Sequence, residues 1–158
     1  MAGEDPSSES NEKPLPDVAS AYRLRSWQMK SEDWDQLCEH VYIFEEDDRQ
    51  WVGPERAVQD MHEELLRYQS RGTWLQISWY FRKKDGEGTA HASAAYRASD
   101  TIEHYDAENL LFAEAQGGEG GSQGVCDAFL HNLLEGTDYQ DAELVGLEAR
   151  VVPPNFSQ

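Results

Sequence analysis

The chain has 158 residues, enough for one ordinary domain with a sizeable core or one domain plus tails. Its 31 acidic residues against 13 basic ones give a formal charge of -18, which argues against a direct grip on a nucleic-acid backbone and favours a basic protein partner or plain solubility. Cys38 and Cys126 suggest neither a disulfide framework nor a zinc site, and no run approaches the roughly 20 apolar residues of a membrane span.

Residues 1–20 are rich in Glu, Ser and Pro and offer almost nothing to bury, so they are expected to remain a tail. Met1-Ala2-Gly3-Glu4-Asp5 lacks the basic then apolar pattern of a signal peptide, and an intracellular, reducing setting is the expectation. A single domain is expected over 21–153, opening near Ala21-Tyr22-Arg23-Leu24 with Trp27 and Trp34 packed onto it. His40-Val41-Tyr42-Ile43-Phe44 is dense in β-formers and predicts a strand buried on both faces, closed by the acidic loop Glu45-Glu46-Asp47-Asp48. Pro54 stands at a natural first helical position. Val58, Met61, Leu65 and Tyr68 recur behind it at helical spacing, so an amphipathic helix is predicted over about 54–70, ending near Gly72.

The stretch Thr73 to Arg82 predicts a strand with Leu75, Ile77, Trp79 and Phe81 on one face and Trp74, Gln76, Ser78 and Tyr80 on the other. Lys83 to Gly88 is a turn. The Ala-rich piece from Thr89 to Ala95 is ambiguous, Tyr96 to Ile102 suits a short strand, and Asp106 to Ala115 suits a short helix or a strand. Residues 117–124 are a flexible Gly-rich linker by composition, without the Lys-Ser/Thr of a phosphate loop. Val125, Phe129, Leu130, Leu133 and Leu134 then form a helical apolar face stopped by Gly136. Leu144 to Val152 predicts a final strand ended by Pro153-Pro154, with 154–158 a loose tail. The fold class expected is mainly β (α+β): a small β-barrel-like domain with peripheral helices, or a mixed α+β sheet if the helix from Pro54 packs across it.

Trp79-Tyr80-Phe81-Arg82, an aromatic run ending in Arg, is followed by Ser99-Asp100, Glu103, Asp106-Ala107 and Leu110. In this order and spacing the two motifs resemble the bromo-adjacent homology (BAH) domain, a β-rich module of chromatin proteins that binds other proteins, often histone tails. The helix from Pro54 departs from that pattern, which runs a second strand on from a position like Trp51. The resemblance implies an aromatic cage of Trp51, Trp79 and Phe81 for a methylated lysine, with Glu103 and Asp106 as acidic partners. Ring faces around a desolvated cation attract it by roughly 0.5 to 2 kcal/mol each. The residues themselves leave a second reading open, since an aromatic stripe beside Leu75 and Ile77 also suits a core. Phe81 stands where the family commonly has Tyr, and Thr101 where several readers have His.

The five histidines (His40, His62, His91, His104 and His131) show no metal-ligand spacing with a cysteine or with each other, and His62-Glu63-Glu64 lacks the second His of a metalloprotease helix. Ser99-Asp100 with His104 lacks the Gly-x-Ser-x-Gly setting of a serine nucleophile. The expectation is therefore a non-enzymatic protein without cofactor or metal. Three functions follow. The resemblance implies a nuclear, chromatin-associated module that binds a histone tail, methylated or not, or scaffolds a repressive or remodelling complex. Charge alone suits an acidic adaptor or inhibitor that masks a basic surface, with binding that collapses as salt screens it. The amphipathic helices suit a subunit that docks through one of them. Membrane binding and direct nucleic-acid binding are not expected.

Overall fold

A computed structural model describes residues 20, 23–24, 38–45, 53–109, 111–118, 120–135 and 141–153. Among these residues six strands form one antiparallel sheet: β1 (Glu39–Glu45), β2 (Trp74–Arg82), β3 (Gly88–Arg97), β4 (Thr101–Asp106), β5 (Leu111–Gln116) and β6 (Glu143–Val151). Their spatial order is β1-β6-β2-β3-β4-β5, so the last of the six is inserted between the first two. The sheet is mainly β as expected, but open: β1 and β5 lie at opposite ends of the order and do not close a barrel. The reason lies in the meander from β2 to β5, which adds each strand to the outside of the last and leads away from β1.

Between β1 and β2 runs the predicted helix, α1 (Pro54–Tyr68). Gly53 precedes it at φ 105, a conformation that disfavours side chains with a Cβ, and Pro54 supplies a preset first helical residue. Its C-terminal carbonyls are held from outside the helix. Arg97, at the end of β3, donates to the carbonyls of Leu66 at 3.0 Å and Gln69 at 3.2 Å, and also to those of Ala98 and Ser99. One guanidinium thus satisfies helix-end acceptors that have no intrahelical partner and ties α1 to the β3–β4 turn. A second helical run comprises α2 (Gln123–Val125), a π-helical turn Cys126–His131 and α3 (Asn132–Glu135).

The main core lies between one face of the sheet and these helices. Leu75, Ile77, Trp79 and Phe81 of β2 meet Val58, Met61 and Leu65 of α1 and Phe129, Leu130 and Leu133 of the second run, all of them buried. The opposite face carries a smaller cluster with Leu24, Cys38, Ala94, Tyr105 and Val152. Two-residue alternation along β2 therefore sorted its side chains as expected, and both faces are covered over much of the strand's length.

Several local expectations change. The Ala-rich piece is the inner part of the ten-residue strand β3, where small side chains allow close packing between β2 and β4. The strand expected over 96–102 is divided by a tight turn closed by Ala98 N–H donating to the Thr101 carbonyl at 3.0 Å. Asp106 ends β4 by accepting from the backbone N–H groups of Glu108 and Asn109, and of the two forms left open for the segment behind it, residues 111–116 take the strand. β1 was expected to be buried on both faces, yet it is an edge strand with Ile43 52% exposed. The Gly-rich segment is a bonded turn, in which Gln116 N–H donates to the Gly121 carbonyl at 3.0 Å and Gly121 N–H to that of Gly118 at 3.1 Å. A Cβ at Gly121 would stand 2.0 Å from the Gln116 carbonyl oxygen, so a side chain there cannot fit without moving the turn.

Candidate functional site

Trp79 and Phe81 share a face of β2, and that face is the main core. They are 0% and 1% exposed, and the Trp79 ring stacks on Phe129 with centroids 6.1 Å apart while its Nε1–H donates to Ser93 Oγ at 3.0 Å. Neither ring has a surface left for a cationic guest, so these two residues form core and not a methyl-lysine cage. Trp51 and Leu110 lie outside the described residues. Glu103 and Asp106 are three positions apart on one strand and face opposite sides of the sheet. Glu103 accepts from Tyr105 Oη at 2.9 Å on the far face. Asp106 points into the core face and accepts from His91 Nε2 at 2.6 Å and from Asn109 Nδ2 at 3.0 Å. Burial alone would raise the Asp106 carboxyl, but the hydrogen bonds from His91 and Asn109 outweigh it and hold the group below its ordinary value.

Two other places carry chemistry. The first is an open groove of about 330 Å³ between β1 and α1. Tyr42, Ile43 and Phe44 line it from the strand, and Asp60, Glu63, Glu64 and Arg67 from the helix. The helical residues recur at three- and four-residue spacing on the side of α1 turned away from Val58, Met61 and Leu65, and the amphipathic pattern that builds the core thus leaves this row outside. Arg56 reaches Asp60 at 3.0 Å, and Gln59 donates to Glu63 at 3.2 Å. β1 pairs with β6 on one side only, and among the described residues no strand occupies its outer edge.

The second is a buried polar chain in the core. His62 of α1 places Nδ1 2.6 Å from Ser122 Oγ and Nε2 2.8 Å from Nε2 of His104, which projects from β4 onto the core face. Both imidazoles are buried, edge to face with each other, and the His104 ring lies against Trp79 and Phe129. Burial pushes both down, His62 well below the ordinary imidazole value with the adjacent His104 adding to the effect, and His104 to about 3. Nδ1 of His104 has no hydrogen-bond partner. The three members come from α1, β4 and the turn after β5, separated by 60 and 42 residues along the chain, which is why spacing rules applied to the sequence did not join them. One signal was present: Gly120-Gly121-Ser122-Gln123-Gly124 reads Gly-x-Ser-x-Gly between a strand and a helix.

Among the described residues no group of three or more His, Cys, Asp or Glu side chains could hold a metal ion, and no helix is long and apolar enough to cross a membrane. Val58, Met61 and Leu65 of α1 and Val125, Phe129, Leu130 and Leu133 of the second run are taken up in the core, while Tyr68 at the end of α1 is 68% exposed. The chain matches no family model, no curated protein and no solved structure.

Proposed function

We propose that the protein is an interaction module that takes a basic, extended segment of a partner protein into the groove between β1 and α1. The observation that carries this is the pairing of an edge strand with a helix whose outer row presents Asp60, Glu63 and Glu64 across the groove. An incoming segment can hydrogen-bond along β1 as an added strand, and its alternate side chains then face α1. Lysine or arginine fits that position best, because the aliphatic stem covers Tyr42, Ile43 and Phe44 while the charged head meets the carboxylates. The overall charge of -18 adds long-range attraction for such a partner. A histone tail, the occupant that the BAH resemblance implies, is one segment of this chemistry, and with it the nuclear location and the chromatin scaffold. Recognition here rests on charge and backbone pairing, so unmodified and trimethylated lysine should be taken nearly alike.

Fluorescence anisotropy with labelled histone-tail peptides, unmodified and trimethylated, tests the proposal. Reversing two carboxylates in the variant Glu63→Lys/Glu64→Lys should weaken binding about tenfold or more, since two partly exposed ion pairs contribute roughly 0.5 to 1 kcal/mol each and reversal adds repulsion. Raising salt several-fold should weaken the wild type further. Binding that ignores the double reversal, or that demands methylation, would exclude this groove as the site.

A further inference from the structure

We propose that Ser122 is an acyl-accepting nucleophile, with His62 as its base and His104 as the positioning residue behind His62, so that the chain cleaves short unbranched esters. The arrangement has the three relations such chemistry needs: nucleophile to base at 2.6 Å, base to orienting group at 2.8 Å, and the serine on a turn between strand and helix. A serine that merely started a helix would cap it, but the Ser122 hydroxyl makes no capping bond and is directed to His62 instead. The π-helical turn that begins four residues later brings Phe129 against the His104 ring, and π-turns occur frequently at functional sites.

In the reactive tautomer His62 carries its hydrogen on Nε2, donates it toward Nε2 of His104, and leaves Nδ1 free to accept from Ser122. As Oγ of Ser122 bonds to the ester carbonyl carbon, its proton passes to Nδ1 of His62. When the intermediate collapses, the C–O bond to the alcohol breaks and that proton leaves with the alcohol. Water then adds to the acyl group by the same route, releasing a carboxylic acid and restoring Ser122, so ester and water become acid and alcohol with no other reactant. The oxyanion needs backbone donors. The backbone N–H groups that follow the serine are the candidates, although that of Gln123 is already given to the Gly120 carbonyl at 3.2 Å. Ser122 is 4% exposed and follows the glycine turn directly in the chain. With so little of the serine open to solvent, only a short, unbranched acyl group can reach it.

The test is labelling of the purified full chain with an alkyl fluorophosphonate, with the adduct mapped by peptide mass spectrometry, beside release of p-nitrophenol from p-nitrophenyl acetate. The expected result is an adduct on Ser122 in the native wild type and none on the same chain unfolded in urea, with labelling about 100-fold slower in His62→Gln. Because His62 is held well below the ordinary imidazole value of 6.5, labelling should show no fall around that pH, and His104→Gln should move the acid limb to higher pH, since His104 helps to hold His62 down. A native wild type without an adduct on Ser122, or one labelled no faster than the unfolded chain, would overturn the proposal. So would a folded Ser122→Ala variant that releases nitrophenol at the wild-type rate. The native-against-unfolded comparison decides even if a variant fails to fold.

Discussion

Acid should destabilise this protein through the His62–His104 pair well before its carboxylates are protonated. Each imidazole is neutral in the fold because charging it would place a cation in the core, whereas the same group in the unfolded chain binds a proton near its ordinary value of 6.5. The folded values are the lower ones, so between the folded and unfolded values the unfolded chain holds more protons, and stability falls as pH falls through that window. For His104 the window runs from 6.5 down to about 3. Well inside it each pH unit removes about 1.4 kcal/mol, and because the unfolded imidazole is only half protonated at its ordinary value, a descent from about pH 6.5 to about pH 4.5 costs about 2 kcal/mol from His104 alone, to which His62 adds a loss of the same sign. Against a total stability of roughly 5 to 15 kcal/mol that is a large fraction. Asp106 also has a lowered folded value and contributes in the same direction, but only below its ordinary 3.8, outside this range. Urea unfolding followed by circular dichroism at several pH values measures the slope, and His104→Gln, which removes one titrating ring, should flatten it by about one proton. An unfolding free energy that stays level between about pH 6.5 and pH 4.5, or a slope that His104→Gln leaves unchanged, would show that these rings do not sit neutral in the core.

Trp79→Ala should cost about 3 to 5 kcal/mol in the same unfolding assay, the range for emptying a large aromatic from a sealed core. A loss below about 0.5 kcal/mol, as for a surface residue, would mean that the ring is not packed on Phe129 at all. Arg97→Lys should destabilise by about 1 to 3 kcal/mol despite keeping the charge, because an ammonium cannot span the Leu66, Gln69 and Ser99 carbonyls that the guanidinium fork reaches together. Hydrogen exchange should localise the loosening to the end of α1 and the β3–β4 turn, and unchanged protection there would refute the tie.

Period and punctuation made much of this fold legible beforehand. Val58, Met61 and Leu65 could share a face only on a helix, Pro54 fixed where it begins, and the two-residue alternation of β2 separated Leu75, Ile77, Trp79 and Phe81 from Gln76, Ser78 and Tyr80. Such patterns are local, since they follow from the rise and turn of one backbone segment. What they do not carry is which face meets which neighbour. The aromatic stripe suited a core or a cage, and the packing of α1 and Phe129 over the sheet made it core. His40 to Phe44 is as rich in β-formers as an inner strand, yet the insertion of β6 beside β2 left β1 at the edge.

The same division runs through the candidate sites. Charge, composition and the lack of a metal-ligand pattern were fixed by the sequence alone, because they are sums or short spacings. The acidic groove depends on where α1 crosses the edge strand, and the chain Ser122–His62–His104 depends on three elements converging across separations of 42 and 60 residues. No local rule constrains atoms so far apart along the backbone; their meeting is decided when the apolar faces of sheet and helices close on one another and exclude water.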